Sequence, residues 1–398
     1  MTSEKQQTDL HKQLLTPSLL LLAELLGSQN FRFVGGAVRD AILERPIHDI
    51  DLATSLMPED VMQLVEEAGY KSIPTGLSHG TITAVVKGET FEITTLRKDL
   101  VTDGRRAEVA FTDDWVEDAA RRDFTMNALS LSVDGVLYDP FGGVGHCQQG
   151  KIRFVGMADR RIQEDYLRIL RLFRFQGQLG RQPLKKEDLI AVAQNHQGIK
   201  NMSGERLWQE FAKILVSPGV AQVLPLMIET QVLSAFLDSP FDIEKLLNLA
   251  TLETTHSATS PLSRLALLLT LEPNRMKSAA KRLKLSRKEK DSLLAFAVTP
   301  NDNIYHDLVF DGGEIALRRL LIQAACTGSL NSDSLTIVQN WKQPSLPVTG
   351  KDLRDQGLDE GKEIGEALRR LQNWWIARSC TPDRQACLDF LRTDLFSN

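Results

Sequence analysis

Apolar positions along the first hundred residues recur with two different periods. Residues 31 to 34, Phe-Arg-Phe-Val, form a short apolar run that predicts a strand, and the Gly35-Gly36 pair after it predicts a tight turn into a short helix starting near Ala37. Asp49 and Asp51 then alternate with Ile50 and Leu52 in a further apolar stretch. In a strand, alternate residues share a face, so the two carboxylates point one way and the aliphatic pair the other. Residues 80 to 87 and 90 to 97 alternate in the same manner about a turn at Lys87 to Glu89, which predicts a hairpin extending a small mixed sheet. Leu19 to Leu26 predicts a helix capped by Thr16, since Glu24 interrupts the run and no cleavage site of small residues follows.

From about residue 151 onward the period is helical. Tyr166, Leu167, Ile169, Leu170, Leu172, Phe173 and Phe175 cover most of a helix circumference, so Glu164 to Phe175 is expected as one largely buried helix. Ser203 is placed to cap a helix presenting Leu207, Phe211, Ile214 and Leu215 on one face. Leu-rich faces continue through residues 216 to 298. The Asp-, Asn- and Gly-rich segment from Thr299 to Asn331 is expected to be looped, and the polar segment from Arg97 to Glu108, with Asp103-Gly104, to be a mobile loop.

The chain of 398 residues has room for two to four domains. Its four cysteines, Cys147, Cys326, Cys380 and Cys387, form no C-x-x-C pair, which argues against structural zinc or a disulfide framework and favours a reducing, cytoplasmic setting without a membrane span. The net charge of −5 is wrong for a nucleic-acid binder until its distribution is considered. Between Lys151 and Arg181 eight lysines and arginines face only Asp159, Glu164 and Asp165. Arg168, Arg171 and Arg174 recur on one row of a helix that is otherwise apolar, and buried guanidinium groups require anionic partners. Asp165 and Glu164 are too few for three of them; a nucleotide would complete the set, and an internal salt-bridge ladder is the competing account.

Two carboxylates as close as Asp49 and Asp51 repel each other unless a cation neutralises them, and Mg²⁺ (magnesium) is commonly held by one or two carboxylates together with phosphate oxygens. Gly35 and Gly36 leave backbone N–H groups at a helix start, and Arg39 adds a fixed charge one turn in; phosphates and metal would share one cradle. Each feature has a plain structural alternative: a strand end for the aspartates, a turn for the glycines, a local pair with Asp40 for Arg39. Asp165 with Arg168 offers an acceptor beside a donor, which matches the amino group and ring nitrogen of cytosine and adenine and leaves the carboxylate unsatisfied against uracil or guanine.

GGAVRD at 35 to 40, HDIDLAT at 48 to 54, RRDFTMNA at 121 to 128 and QEDYLRILRLFRF at 163 to 175 resemble, in this order, the head and neck of class II CCA-adding tRNA nucleotidyltransferases of the polymerase β superfamily, a head shared with bacterial poly(A) polymerases. SGERLWQEF at 203 to 211 and PVTGKDLRDQG at 347 to 357 extend the likeness. The resemblance implies an α+β fold, with a small mixed β-sheet nucleotidyltransferase head at 1 to 150 followed by a helical neck at 151 to 215, body at 216 to 298 and tail at 299 to 398. It further implies addition of C, C and A to the 3′ end of tRNA from CTP and ATP, with Asp49 and Asp51 as catalytic metal ligands. Nucleotide binding would fall to Gly35, Gly36, Arg39, Arg122, Asp123, Asp165, Arg168, Arg171 and Arg174. Asn127 would order the site, Arg206 would brace the neck, and residues 139 to 143 would form the hinge between head and neck. Enzymes of this kind need a loop at the position of Arg97 to Glu108 for the switch to A. Glu92 is either a third carboxylate or a partner for Arg97. The basic run Lys277 to Lys290 and a hairpin from Gly350 to Gly365 are further places for backbone contact with tRNA; no stable protein partner is implied. Poly(A) synthesis is the nearest rival, although Pro74 to Thr81 resembles the CCA type, and an RNA-binding protein that lost the chemistry is the rival from another class.

Overall fold

A computed structural model describes residues 4–102, 107–298, 304–355 and 361–396. The chain divides into two compact units, Met1–Phe236 and Leu237–Asn398. The first begins with strand β1 (Glu4–Gln7), helix α1 (Pro17–Leu26), β2 (Phe31–Val34), α2 (Gly36–Ile42), β3 (Asp51–Thr54) and α3 (Pro58–Glu67). Strands β4 (Lys71–Gly76), β5 (Thr81–Val86), β6 (Glu89–Thr95), β7 (Arg97–Thr102) and β8 (Ala107–Phe111) follow, then α4 (Trp115–Ala120), β9 (Ser130–Leu131), β10 (Val136–Asp139) and α5 (Gly143–Gln149). Helices α6 (Ala158–Glu164), α7 (Leu167–Leu179), α8 (Lys186–Asn195), α9 (Gly204–Leu215) and α10 (Val220–Glu229) complete it.

Eight strands form one mixed sheet in the order β1-β10-β9-β2-β3-β6-β5-β4. The two-residue alternation sets its core: Ile82, Ala84 and Val86 of β5 and Phe91 and Ile93 of β6 are buried, with Phe31, Phe33 and Leu52 from the strands beside them. Helices α1 and α3 pack over β5, and Leu19, Leu22, Leu26, Val61 and Val65 fill the space between. Each such side chain, fully withdrawn from water, contributes about 1.5–3 kcal/mol. Thr16 caps α1 by accepting from Leu19 N, as its sequence predicts, and Ser203 does the same for α9 through Arg206 N.

Four expectations change. First, Asp51 opens β3 whereas Asp49 precedes it, so the two carboxylates sit at a strand entrance, outside the apolar body of the strand. Second, Glu164 to Phe175 is two helices. Asp165 adopts φ −153° and ψ 106° between α6 and α7, and its Oδ1 accepts from Leu167 N at 3.1 Å; an acidic side chain that satisfies the first turn of the next helix favours a new start over continuation. Third, Arg97 to Glu108 lies largely in an antiparallel ribbon of β7 and β8, from Arg97 opposite Phe111 to Thr102 opposite Ala107; Asp103 and Gly104 fall outside the described residues. Fourth, the segment Arg121 to Asn127, which the sequence reads as opening a helix at the edge of the cleft, does not: Arg121 follows the last residue of α4, and Thr125–Asn127 form a single 3₁₀ turn.

The second unit is helical: α11 (Ile243–Thr255), α12 (Pro261–Leu268), α13 (Pro273–Arg282), α14 (Arg287–Ala295), α15 (Ile304–Thr327), α16 (Ser332–Gln339), α17 (Gly350–Asp355), α18 (Lys362–Ile376) and α19 (Arg384–Phe396). Most of the expected loop from Thr299 to Asn331 is therefore α15, broken only where Gly312 takes φ +82°, a conformation glycine alone adopts without strain. The expected hairpin at Gly350 to Gly365 is helical in its described part. In the basic run, Lys277, Lys281, Lys284, Arg287, Lys288 and Lys290 are exposed on and between α13 and α14. Among the described residues no helix is long and apolar enough to cross a membrane.

Candidate active site

The turn between β2 and α2 is shaped by Gly35, whose φ of +67° excludes most side chains and whose missing Cβ leaves room for Arg122 Nη1, 3.1 Å from where a Cβ would be. Gly35 N is bonded to Leu129 O, so the N–H groups facing outward are those of the first turn of α2, from Gly36 on. Arg39 is held in place from two sides: its Nε and Nη2 donate to Asp40, and Nη1 donates to Asn127 Oδ1 at 2.7 Å. The local pairing with Asp40 is thus real, and it orients the guanidinium without removing it from the cavity.

That cavity, of about 710 Å³, brings every predicted site residue together. Gly35, Gly36, Arg39, Asp49, Asp51, Arg122 and Asp123 line it from the sheet domain, and Asp165, Arg168, Arg171 and Arg174 from the helices. Seven lysines and arginines against five aspartates give its lining a positive balance suited to a polyanion. Partial burial pushes the Asp51 carboxyl up from its usual value; Arg122 opposes this and Asp49 adds to it. An exposed pair of like carboxylates at a phosphate-sized cleft is a donor set that fits a hard divalent cation. Among the described residues no group of three His, Cys, Asp or Glu side chains is arranged for a metal. Glu92 faces Asp51 in register on the parallel neighbour strand, but it does not line the cavity. Arg97, its alternative partner, donates to His79 O.

The arginine row has protein partners that local spacing does not reveal. Arg171 donates to Asp123 Oδ2 at 2.6 Å, and Arg174 pairs with Glu210 at 3.1 Å, with Arg171 3.7 Å from the same carboxylate. An internal ion-pair network therefore gives these two arginines carboxylate partners, which is the competing account, where a nucleotide was expected to complete the set. Asp123 is itself spent: Oδ1 accepts from Phe124 N and Asn127 Nδ2, and Oδ2 from Arg171, so its part is to brace the cavity floor. Arg168 donates to Glu164 Oε2, to Arg161 O and to Arg121 O. Asp165 Oδ2 accepts from Arg206 at 2.7 Å, so the residue expected to brace the neck does so at the cavity itself, which it also lines. Glu210 and Lys213 were not foreseen either. The signal was present: Arg206, Glu210 and Lys213 follow i, i+4, i+7 spacing on the face adjoining Leu207, Phe211 and Ile214 on α9. Asp139, in the expected hinge, caps α5 through the N–H groups of Gly143 and Val144.

Behind Arg122 stands buried Asp118, paired with Arg121 at 2.7 Å and Arg122 at 3.1 Å. Burial alone would raise the Asp118 and Asp123 carboxyls, yet the neighbouring arginines and N–H donors hold both below the ordinary value. The folded protein thus keeps them ionised where the unfolded chain protonates, so their stabilisation is complete above about pH 4 and drains away as pH falls through the lower folded values. Asp118→Asn is expected to flatten that acid limb, which urea denaturation at a series of pH values measures.

Known proteins carry the same arrangement. A family model described as "Poly A polymerase head domain" matches residues 31–153, and one described as "Probable RNA and SrmB- binding site of polymerase A" matches residues 184–241. The zebrafish protein named mitochondrial CCA tRNA nucleotidyltransferase 1 is 38% identical over 92% of this chain and 88% of its own length, and the mouse protein of that name is 36% identical over 98% and 93%. The solved Bacillus stearothermophilus CCA-adding enzyme in complex with CTP superposes with a TM-score of 0.76 at 32% identity, covering 92% of this chain and 94% of that one. Both family-model descriptions name a poly(A) polymerase, but the relatives that match along nearly the whole chain are CCA-adding enzymes, and with them the chain belongs to the family of CCA-adding tRNA nucleotidyltransferases.

Proposed function

We propose that this chain adds C, C and A to the 3′ end of tRNA from CTP and ATP, releasing pyrophosphate at each addition. The observation that carries the reading is the single cavity in which the Asp49–Asp51 pair and the Asp165–Arg168 pair face one space large enough for one nucleotide. In this reading Asp49 and Asp51 hold Mg²⁺. Held there, Mg²⁺ would supply charge neutralisation for the triphosphate and lower the pKa of the attacking 3′-hydroxyl. Gly36, Arg39 and Arg122 align the triphosphate, Gly35 giving Arg122 its room, while Asp123 fixes Arg171. Arg171 and Arg174 add positive field without leaving their carboxylates. Asp165 accepts from the exocyclic amino group of cytosine or adenine and Arg168 donates to the ring nitrogen, so the protein itself serves as template.

The division of labour we propose is catalysis in residues 1 to 150, base reading in 151 to 215, and tRNA binding in 216 to 298 and 299 to 398. The free cysteines suit a reducing, cytoplasmic compartment. The test is incubation with tRNA lacking its terminal CCA and each labelled nucleotide in turn. Incorporation that stops after C, C and A is expected; a long A tail would instead assign poly(A) synthesis, and no incorporation would leave an RNA-binding protein.

A further inference from the structure

Arg206 and Asp165 lie on separate helical segments, 41 residues apart in sequence, yet Arg206 Nη2 is 2.7 Å from Asp165 Oδ2 at the cavity wall. The other carboxylate oxygen accepts from Leu167 N at 3.1 Å. Asp165 is therefore held at both oxygens by donors, one a backbone N–H and one a guanidinium. A carboxylate offers about four lone-pair positions, so two stay open for a base. We infer that Arg206 is a specificity-positioning residue: by clamping Asp165 it fixes which lone pairs face the nucleotide and keeps that face purely accepting. This deepens, and rests on, the assignment of Asp165 as reader of the base.

The chemistry follows from what an unclamped carboxylate does. With Oδ2 released, the side chain rotates about χ1 and χ2, and the geometric penalty that uracil suffers, an O4 carbonyl set against a fixed acceptor, is relieved by rotation. Arg168 does not supply the clamp, because its hydrogen bonds go to Glu164 and to the carbonyls of Arg161 and Arg121. Nor does Lys213, which lines the same wall from α9 but has no bond to Asp165. Loss of Arg206 is thus expected to act on discrimination, the quantity a merely structural brace would leave unchanged.

The experiment measures kcat and KM for CTP and UTP on tRNA lacking CCA in the full-length chain, for Arg206→Ala, Arg206→Lys, Asp165→Asn and the double variant Arg206→Ala/Asp165→Asn. Arg206→Ala is expected to lower the CTP-to-UTP ratio of kcat/KM about tenfold, the scale of one charge-assisted hydrogen bond. Arg206→Lys should recover part of the ratio, and the double variant should discriminate no worse than Asp165→Asn. A lowered ratio in Asp165→Asn beside an unchanged one in Arg206→Ala overturns the clamp alone. An Arg206→Ala variant that binds CTP more tightly at full selectivity also overturns it, since Arg206 would then be a competitor for the base site. An unchanged ratio in Asp165→Asn overturns the base-reading assignment and the clamp with it. Thermal unfolding of each variant separates these outcomes from misfolding.

Discussion

Asp51→Ala is expected to reduce nucleotide incorporation by at least about a thousandfold, roughly 4 kcal/mol of transition-state stabilisation, while tRNA binding stays nearly intact. Asp51 sits at the mouth of β3 with an exposed side chain, next to Asp49 and facing the cavity beside Arg122. Its backbone pairs with Glu92 on the parallel strand β6, and Leu52 after it pairs with Phe33 on β2, so the carboxylate is delivered by the end of a sheet strand. Because much of the side chain is open to solvent at the cavity mouth, its removal is expected to leave the fold undisturbed. What disappears is the charge that gathers a divalent cation at the triphosphate. Single-turnover incorporation from labelled CTP, with tRNA affinity measured in parallel by filter retention, checks both halves. A rate within tenfold of the parent chain would remove Asp51 from the metal site.

Glu210→Ala is expected to cost about 3–5 kcal/mol, the usual penalty for removing one partner of a buried ion pair. Glu210 is 7% exposed and is the carboxylate on which Arg174 rests, with Arg171 also in range. Truncation leaves the Arg174 guanidinium desolvated against Phe175, whose ring lies 4.3 Å away and recovers only a small part of the loss. For a unit of this size the melting temperature should fall by roughly 10 °C. Added CTP should narrow that gap, because a triphosphate offers the released arginines new anionic partners and ligand binding stabilises the folded state by mass action. Thermal melts of both proteins with and without CTP measure the effect; an equal gap in the two conditions would show that these arginines do not reach the ligand.

Much of the site was legible because its residues come in local groups whose chemistry depends on near neighbours. The Gly35-Gly36 turn and the caps at Thr16 and Ser203 are set within a few residues, and each appears where its pattern places it; Asp49 and Asp51 do reach one cavity, although only Asp51 lies in the strand. The partners of the arginine row were not legible, since Asp123 lies 48 residues from Arg171 and Glu210 lies 36 from Arg174. Only the packing of α7 on α9 brings the second pair together. The break at Asp165 was concealed by continuous apolar periodicity, which a capping carboxylate overrides. The β7–β8 ribbon was concealed by composition: polar residues read as loop, yet a two-stranded ribbon satisfies its backbone across the pair with little apolar content.

The bonds that hold Arg168, Arg171 and Asp165 have one more consequence. A polymerase that copies nucleic acid renews its instructions with each template base, but under the function proposed here the hydrogen-bond pattern that decides between nucleotides would be written once, when the chain folds. Fidelity is then inherited by every round of addition from the stiffness of a protein wall, and any influence that softens the wall should introduce errors before it slows synthesis.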